Sequence, residues 1–300
     1  MEPRKTLRAA LAAGPPILAP GAFDALSAKI VEAAGFPAVY ATGGGIARSM
    51  GYPDVGLLTL TEVVERLRNM VEAVAIPVIA DADTGYGNAL NVIRTVQAFE
   101  AAGVAAFHLE DQVTPKRCGH YEGKEVVSWE EMVQKLRAAL DTRGDPDLLV
   151  IARTDARAPL GLDEAIRRAN AYAAAGADVV FVEAPQSREE LAEIARRVSA
   201  PLLVNMFEGG KTPVVPLGDL EAMGYRIVIV PSDLQRAAIR AMQEVAAAIR
   251  QDGDSRALAH RLATFQEREA LVGLDRVQAL EARYLGVRTG APDETTRKVR

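Results

Sequence analysis

One pattern recurs four times along this 300-residue chain: a helical segment ends in small residues and glycine, and a β-branched run follows directly. Glycine suits the position just after a helix, where the backbone often turns left-handed. Each repeat therefore predicts a helix that leads straight into a strand, as in successive βα units. The four glycines are Gly35, Gly103, Gly176 and Gly224.

Periodicity and turn signals around these glycines predict eight strands, near 17–20, 38–42, 77–82, 105–110, 148–153, 178–183, 201–205 and 226–230. Amphipathic helical patterns lie between them, for example at 61–74, 89–102, 129–141, 163–175 and 188–198. This alternation predicts an α/β fold, a closed (β/α)8 TIM-type barrel. A doubly wound open sheet is the competing fold. It normally has fewer units and a glycine-rich phosphate loop after its first strand, where this chain has Pro20-Gly21-Ala22-Phe23-Asp24.

The barrel is expected to occupy residues 1–250 as one catalytic domain, because α/β barrels commonly run to about 250 residues or more. Residues 251–287 are predicted to form additional C-terminal helices. Residues 288–300 are polar and interrupted by proline, which predicts a flexible tail. Helices beyond a finished barrel need a surface to cover, so we expect the C-terminal helices at a subunit interface.

Bulk properties exclude several classes of protein. The net charge is -5 with both signs mixed along the chain, so no nucleic acid partner is expected. No apolar run approaches the length of a membrane span, and the first one contains Arg8 and ends at Gly14, which favours an N-terminal helix over a secretion signal. A single cysteine, Cys118, suits a reducing compartment, so a cytoplasmic location is predicted.

Polar residues cluster where the predicted strands end, which is the face on which barrels carry their sites. Asp81 and Asp83 stand two residues apart after the third strand, and two such carboxylates repel each other unless a cation or a proton lies near them. Oxygen ligands without a cysteine or histidine pair suit Mg2+ or Mn2+, with Asp54 and Glu110 completing the shell through water. The alternative is a polar loop that only caps the next helix.

Arg153 ends the fifth strand, and a guanidinium in a barrel mouth needs an anionic partner. That partner is either Glu183, in a structural salt bridge, or the carboxylate of a bound substrate. The glycines at 43–45 are compatible with backbone N–H groups that face an anion, and equally with a common turn. His108 is expected to be a packed or supporting histidine rather than a metal ligand.

The loop after the fourth strand holds the only cysteine. A lone cysteine is more often an inert buried residue, but Lys116, Arg117 and His120 flank Cys118 and would favour its thiolate. Glycines at 119 and 123 would let this loop move. These neighbours predict a reactive thiol on a mobile loop.

Three stretches of this sequence resemble the isocitrate lyase and phosphoenolpyruvate mutase superfamily, and they occur in the order found in that family. They are Asp81-Ala82-Asp83-Thr84-Gly85-Tyr86-Gly87, Glu110-Asp111-Gln112 and Lys116-Arg117-Cys118-Gly119-His120. The resemblance extends from about Pro20 to about Pro231. It implies a barrel with a Mg2+ site at Asp83, supported by Asp54, Asp81 and Glu110, and a loop that closes over an oxyacid substrate.

The resemblance also implies the roles of individual residues. The candidate catalytic residues are Cys118, Tyr40, Arg153 and Glu110. The candidate substrate-binding residues are Thr42, Gly43, Gly44, Lys116, Gly119, His120, Glu183, Asn205 and Ser232. Lyases of the family carry the cysteine while phosphonate-forming mutases place asparagine in that loop, so Cys118 implies a carbon–carbon lyase in which it protonates the enolate product. Related enzymes form homotetramers that exchange C-terminal helices, which would occupy residues 251–287.

The substrate implied is a substituted malate of the 2-methylisocitrate or 2,3-dimethylmalate class, cleaved into an α-keto acid and a carboxylate. Methylisocitrate lyases continue the cysteine loop with Arg-Pro-Asn-Lys, whereas Tyr121-Glu122-Gly123-Lys124 stands here, which favours the smaller substrate and leaves methylisocitrate open. Two alternatives use the same scaffold: a phosphonomutase acting on carboxyphosphonoenolpyruvate or phosphoenolpyruvate, and an oxaloacetate decarboxylase. An alternative of another class is a non-catalytic barrel that binds an oxyacid.

Overall fold

The computed structural model describes residues 2–119 and 121–286. Within them, parallel strands pair in chain order, and the first also pairs with the last, so that the sheet closes into an eight-stranded barrel. The predicted (β/α)8 fold is confirmed, and the open sheet is excluded by this closure. The strands are β1 (Ile17–Ala22), β2 (Val39–Ala41), β3 (Val78–Asp81), β4 (Ala106–Glu110), β5 (Leu149–Thr154), β6 (Val179–Val182), β7 (Leu202–Asn205) and β8 (Tyr225–Val230).

Helices connect the strands and surround them. They are α1 (Pro3–Ala13), α2 (Ala25–Ala33), α3 (Gly43–Ser49), α4 (Leu60–Ala73), α5 (Ala89–Ala102), α6 (Trp129–Thr142), α7 (Arg157–Leu160), α8 (Leu162–Ala174), α9 (Arg188–Arg197), α10 (Leu217–Met223), α11 (Asp233–Asp252), α12 (Phe265–Val272) and α13 (Leu274–Leu285), with a 3-10 turn at Arg256–Arg261. Gly103 and Gly224 follow α5 and α10 with φ of 87° and 100°, so the left-handed ends predicted from the repeat are present.

Alternation along the strands sorts the core into two layers. Val78 and Ala80 face outward and pack with residues of the surrounding helices, among them Leu67 of α4. Ile79, between them, faces the barrel interior and packs with residues from other strands. Leu7 of α1 joins this interior cluster, so the N-terminal segment is the helix that the sequence predicted and it covers part of the inner core.

The chain divides into two compact units, residues 1–242 and residues from 243 onward. The second unit contains the end of α11, the 3-10 turn, α12 and α13, and Thr264 and Glu267 form a capping box that starts α12. Phe265, Tyr284 and Leu285 are among its exposed apolar side chains, at 68%, 67% and 71%. The predicted tail at 288–300 lies outside the described residues. None of the described helices has the length and apolar character that a membrane span requires.

The outer layer of the core yields a stability prediction. Leu67→Ala removes a fully buried side chain and is expected to lower the free energy of unfolding by about 2–5 kcal/mol through lost burial and a residual cavity. Leu90→Ala is the matched control, because Leu90 lies on α5 with 74% of its surface exposed, and should change stability by about 0.5 kcal/mol at most. Urea denaturation of both variants measures the difference, and similar losses would contradict this packing.

Candidate active site

The strand alternation that fills the barrel with apolar side chains also directs the next inward residues into its carboxyl end. Asp81 follows the inward Ile79 by two residues, and Arg153 and Asn205 follow Ile151 and Leu203 in the same way. These side chains surround a cavity of about 290 Å3 in the first unit. Of the predicted site residues, the cavity is lined by Tyr40, Thr42, Gly44, Asp54, Asp81, Lys116, Cys118, Gly119, Arg153, Glu183, Asn205 and Ser232.

Three predicted residues lie behind this lining. Gly43 lies against Asp81, Asp83 pairs with Lys116, and Glu110 pairs with Arg153. His120, the remaining predicted substrate-binding residue, lies outside the described residues. The structure thus brings together the strand-end residues that the sequence analysis singled out, and their individual roles stay predictions.

An acidic cluster with one ammonium group forms one wall of the cavity. Lys116 Nζ lies 2.5 Å from Asp54 Oδ1 and 2.8 Å from Asp83 Oδ1, although the second contact lacks hydrogen-bond geometry. Asp81 Oδ1 accepts a hydrogen bond from the backbone N–H of Asp83 at 2.9 Å. The acidic residues predicted for a metal site therefore face a shared positive charge, which the ammonium group of Lys116 supplies.

Burial strongly perturbs the protonation of this cluster. It raises the pKa of Asp83 to about 6; Asp81 and Asp54 add to the effect and Lys116 opposes it. Burial also acts to raise the pKa of Asp81, but positive charges nearby, protonated His108 first among them, lower it to about 2. For Lys116, burial lowers the pKa and the surrounding carboxylates outweigh it, so its pKa is raised. At neutral pH Asp81 is therefore ionised, and it lies in the same cluster as the ammonium group of Lys116.

The donor set fits a divalent cation. Asp81, His108 and Glu110 each offer a ligand atom, and these atoms lie within 4.8 Å of one another. Both carboxylate oxygens of Glu110 are buried and accept no hydrogen bond from the described residues; Arg153 Nε lies 3.2 Å from Oε2 without hydrogen-bond geometry. Burial raises the pKa of Glu110, since a lone ionised carboxylate is costly there. Such oxygens suit a hard cation. The sequence analysis expected His108 only in a supporting role, yet His108 offers one of these three ligand atoms.

His108 is buried beside this cluster and contacts Tyr40. Its Nε2 lies 2.8 Å from the Tyr40 hydroxyl and 3.5 Å from Asp81 Oδ1. Burial lowers the pKa of His108 to about 4, so the imidazole is neutral at neutral pH, and burial raises the pKa of the Tyr40 phenol. The side chains of Tyr40, His108 and Asp81 thus form a short polar chain that leads from the cavity into the barrel.

Glycine stands at positions 43 and 44 for a steric reason that the sequence analysis did not identify. They begin the short helix α3, which Thr42 caps by accepting a hydrogen bond from Gly45 N–H. A Cβ atom on Gly43 would lie 2.5 Å from Asp81 Oδ2, and one on Gly44 would lie 2.7 Å from Asp54 Oδ2. These residues therefore make room for protein carboxylates, whereas the earlier alternatives were an anion-facing loop and a common turn.

Arg153 has several acidic partners. It donates to Asp155 from Nε at 2.8 Å and from Nη2 at 3.1 Å, and Nη2 lies 3.4 Å from Glu183 Oε2. The salt bridge to Glu183 considered from the sequence is present, but Asp155 makes the shorter contacts. Because Arg153 also lines the cavity, it can still face an anion bound there.

The cysteine loop lies over the same cavity. Cys118 is half-buried, and its backbone N–H donates to Asp54 O at 3.2 Å. Lys116 points to the acidic cluster, and Arg117 is exposed with its backbone paired to the Gln112 side chain. Of the expected cationic neighbours, Lys116 therefore pairs with carboxylates, and His120 lies outside the described residues.

Several cavity residues were missed from the sequence. Phe207, Gln235, Arg236 and Ile239 line the cavity from the segments after β7 and β8. Their spacing from Asn205 and Ser232 was the available signal, because residues just beyond a strand end face the same mouth. Arg48 also lines the cavity from α3. Only the position of α3, α11 and the segment after β7 at the barrel mouth distinguishes these residues from ordinary surface side chains.

Comparisons with known proteins agree with the fold. Residues 7–250 match the model of the phosphoenolpyruvate phosphomutase family. The chain belongs to this family. It is 49% identical over 269 residues to 2,3-dimethylmalate lyase of Eubacterium barkeri, covering 89% of this chain and 93% of that protein. It is 45% identical over 262 residues to 2-methylisocitrate lyase of Halalkalibacterium halodurans, covering 87% of each.

A solved structure of phosphonopyruvate hydrolase in complex with oxalate and Mg2+ superposes with a TM-score of 0.87 at 37% sequence identity. The match covers 95% of this chain and 100% of that one. The superfamily resemblance drawn from three short motifs is therefore confirmed over nearly the whole barrel, and the two curated relatives named above are lyases.

Gly43 provides a test of the acidic cluster. Gly43→Ala should push the Asp81 carboxylate aside and weaken divalent cation binding by about 10- to 100-fold, the usual cost of disturbing what orients a ligand. Gly218→Ala is the matched control, since Gly218 also lies in the first turn of a short helix and a Cβ there meets nothing within 4 Å. Isothermal titration with Mg2+ and Mn2+ measures both affinities. Equal affinities for the two variants would contradict the crowding argument.

Proposed function

We propose that this protein is a Mg2+-dependent lyase that cleaves the carbon–carbon bond of a substituted malate, of the 2,3-dimethylmalate or 2-methylisocitrate class. The products are an α-keto acid and a carboxylate. The observation that carries the proposal is the position of Cys118, which lines the same cavity as Asp81 and Arg153 in a chain that is 49% and 45% identical to two curated lyases. Such a cleavage needs a proton donor beside the bound substrate, and a thiol that lines the cavity can supply it.

Asp83, Asp81, Asp54 and Glu110 would hold the cation. When bound, Mg2+ would polarise the carboxylate and 2-hydroxyl oxygens of the substrate and offset the charge that develops on them. The related hydrolase structure that contains Mg2+ and oxalate supports this ion and a carboxylate ligand. We infer that Lys116, which pairs with Asp54 and Asp83, leaves part of that position when the ion binds.

The remaining polar residues would bind the substrate carboxylates. Arg153 supplies a guanidinium, and Asn205 has a buried Oδ1 without a hydrogen-bond partner among the described residues, so it has capacity for a ligand. Thr42, Ser232, Gly44 and Glu183 complete the wall, and Gly119 closes it from the loop. Phe207 and Ile239 add an apolar surface that suits an alkyl substituent on the malate.

Cleavage requires one proton to leave the substrate and one to arrive. The 2-hydroxyl proton would pass to Tyr40 as the phenol gives its own proton to His108 Nε2, 2.8 Å away, with Asp81 stabilising the charged imidazole. C2 becomes the carbonyl carbon of the α-keto acid as the C2–C3 bond breaks. The electron pair of that bond passes to C3, which becomes the enolate carbon of the carboxylate product. The Cys118 thiol then protonates C3, which releases the carboxylate product.

Outside the cavity, we propose a homotetramer with residues 251–287 at a subunit interface. Exposed apolar side chains on α12 and α13, such as Phe265 and Tyr284, support a covered surface in this region. The single cysteine supports a cytoplasmic location.

A substrate panel tests the function directly. A coupled keto-acid assay with malate, 2,3-dimethylmalate, isocitrate and 2-methylisocitrate should give turnover with a substituted malate, which EDTA abolishes and Mg2+ restores. Phosphonopyruvate and oxaloacetate belong in the same panel, because turnover of either alone would support the mutase or decarboxylase alternative. Thermal stabilisation by these acids without any turnover would instead support a binding protein.

The role of Cys118 is tested separately. Cys118→Ser should lower kcat by about 10²- to 10⁴-fold, the range expected for loss of a positioned acid, because a serine hydroxyl is a much weaker acid than a thiol. Metal affinity measured by titration should remain that of the unmodified protein. Full activity in this variant would rule out the thiol as the proton donor.

A further inference from the structure

Lys124 is a buried lysine at the far end of the cysteine loop, and nothing in the proposed chemistry uses it. Its side chain is 1% exposed. The ammonium group donates to the carbonyl of Gly119 and, at 2.9 Å, to Asp155 Oδ1. A charged lysine is rarely buried this deeply without a partner, so these two contacts hold this end of the loop in place.

Gly119, whose carbonyl accepts this hydrogen bond, also lines the cavity. A Cβ atom on Gly119 would lie 2.6 Å from the Glu183 carboxyl carbon and 2.7 Å from Arg153 Nη2. Glycine is therefore required for the approach, and the loop backbone packs against two predicted substrate-binding side chains. A bond that fixes the Gly119 carbonyl also fixes the adjacent Cys118 relative to Arg153.

The Asp155 end is anchored to the barrel wall. Asp155 is fully buried, and its own N–H donates to Asp111 Oδ1 at 2.8 Å. Asp111 in turn accepts from Thr154 Oγ1 and Tyr172 Oη, each at 2.8 Å. The carboxylate of Asp155 binds both Lys124 and Arg153, so it links the loop to a side chain that lines the cavity.

Lys116 anchors the start of the loop to Asp54 and Asp83, and beyond Gly119 another ion pair of the loop is weaker. Glu122 pairs with Lys211, but the Glu122 side chain is 88% exposed, and exposed ion pairs contribute little. The Lys124 pair differs because breaking a buried pair leaves a charge without compensation. Gly123, with φ of 71°, provides a turn just before the lysine.

We propose that Lys124 is a positioning residue, a latch that holds Cys118 over the cavity by joining the Gly119 carbonyl to Asp155. The inference rests on the proposed function for the purpose of the latch, since Cys118 must reach the substrate to protonate it. Opening the loop would break the Lys124 contacts and leave the Arg153–Asp155 pair in place. The cavity would then open while Arg153 keeps its position.

The latch is tested by the reactivity of the only cysteine. Lys124→Met should raise the rate of Cys118 alkylation by iodoacetamide at least about tenfold. A tenfold shift toward the open loop corresponds to a smaller free energy than the cost of breaking a buried ion pair. The kcat of this variant on the substrate found in the panel should fall by a similar factor. Lys124→Arg keeps the charge and should restore most of the protection. Lys211→Met, which removes a charge from the exposed pair of the same loop, should alkylate at the original rate.

The outcomes separate the two proposals. Unchanged alkylation in Lys124→Met would overturn the latch whether or not the protein is a lyase, and absence of turnover on the whole panel would overturn the lyase without affecting the alkylation result. A loss of kcat without a change in alkylation would also overturn the latch, because the loop would then still be closed.

A measurement on the unmodified protein covers the case in which Lys124→Met fails to fold. Reductive methylation with formaldehyde and dimethylamine borane, mapped by mass spectrometry, should modify Lys124 much more slowly than Lys5, whose side chain is 62% exposed. Equal rates at the two lysines would mean that Lys124 is not buried in solution and would overturn the proposal.

Discussion

The carboxyl end of the barrel concentrates negative charge where water is scarce, and the site depends on how that charge is balanced. Asp81, Glu110, Asp155 and Glu183 are all buried there. An ionised carboxylate in such a place must be paired or lose its charge. Arg153 balances part of this charge through Asp155, Glu110 and Glu183. The strands supply one fixed cation, and the remaining compensation has to come from elsewhere.

Two further cations of the site come from a single loop. Lys116 enters the cluster of Asp54 and Asp83 near the start of the loop, and Lys124 reaches Asp155 at its end. Closing the loop and neutralising the site are therefore linked, since a loop that moved away would leave Asp54 and Asp83 without Lys116 and Asp155 paired with Arg153 alone. This coupling explains why two lysines are buried in a segment that is otherwise largely exposed. Ion pairs, rather than apolar packing, therefore hold the loop in its closed position.

Much of this was accessible from the sequence, because it depends on local periodicity. Glycine after each helix and alternation along each strand predicted the barrel, and the same alternation determines that Asp81, Arg153 and Asn205 share one mouth. The partners of these side chains were not predictable. That Asp155 rather than Glu183 is nearest to Arg153, and that Gly43 makes room for Asp81, follow from distances between segments far apart in the chain.

The loop shows this limit most clearly, and it also connects charge to mechanism. From the sequence, the lysine beside Cys118 was expected to act on the thiol, yet Lys116 turns to the acidic cluster instead. A divalent cation would compete with that ammonium group for Asp54 and Asp83, whereas the Lys124 contact to Asp155 would not be affected. One end of the loop is thus sensitive to the ion and the other is independent of it. The Lys124 contact can therefore keep Cys118 in place while a divalent cation replaces the ammonium group of Lys116 beside Asp54 and Asp83.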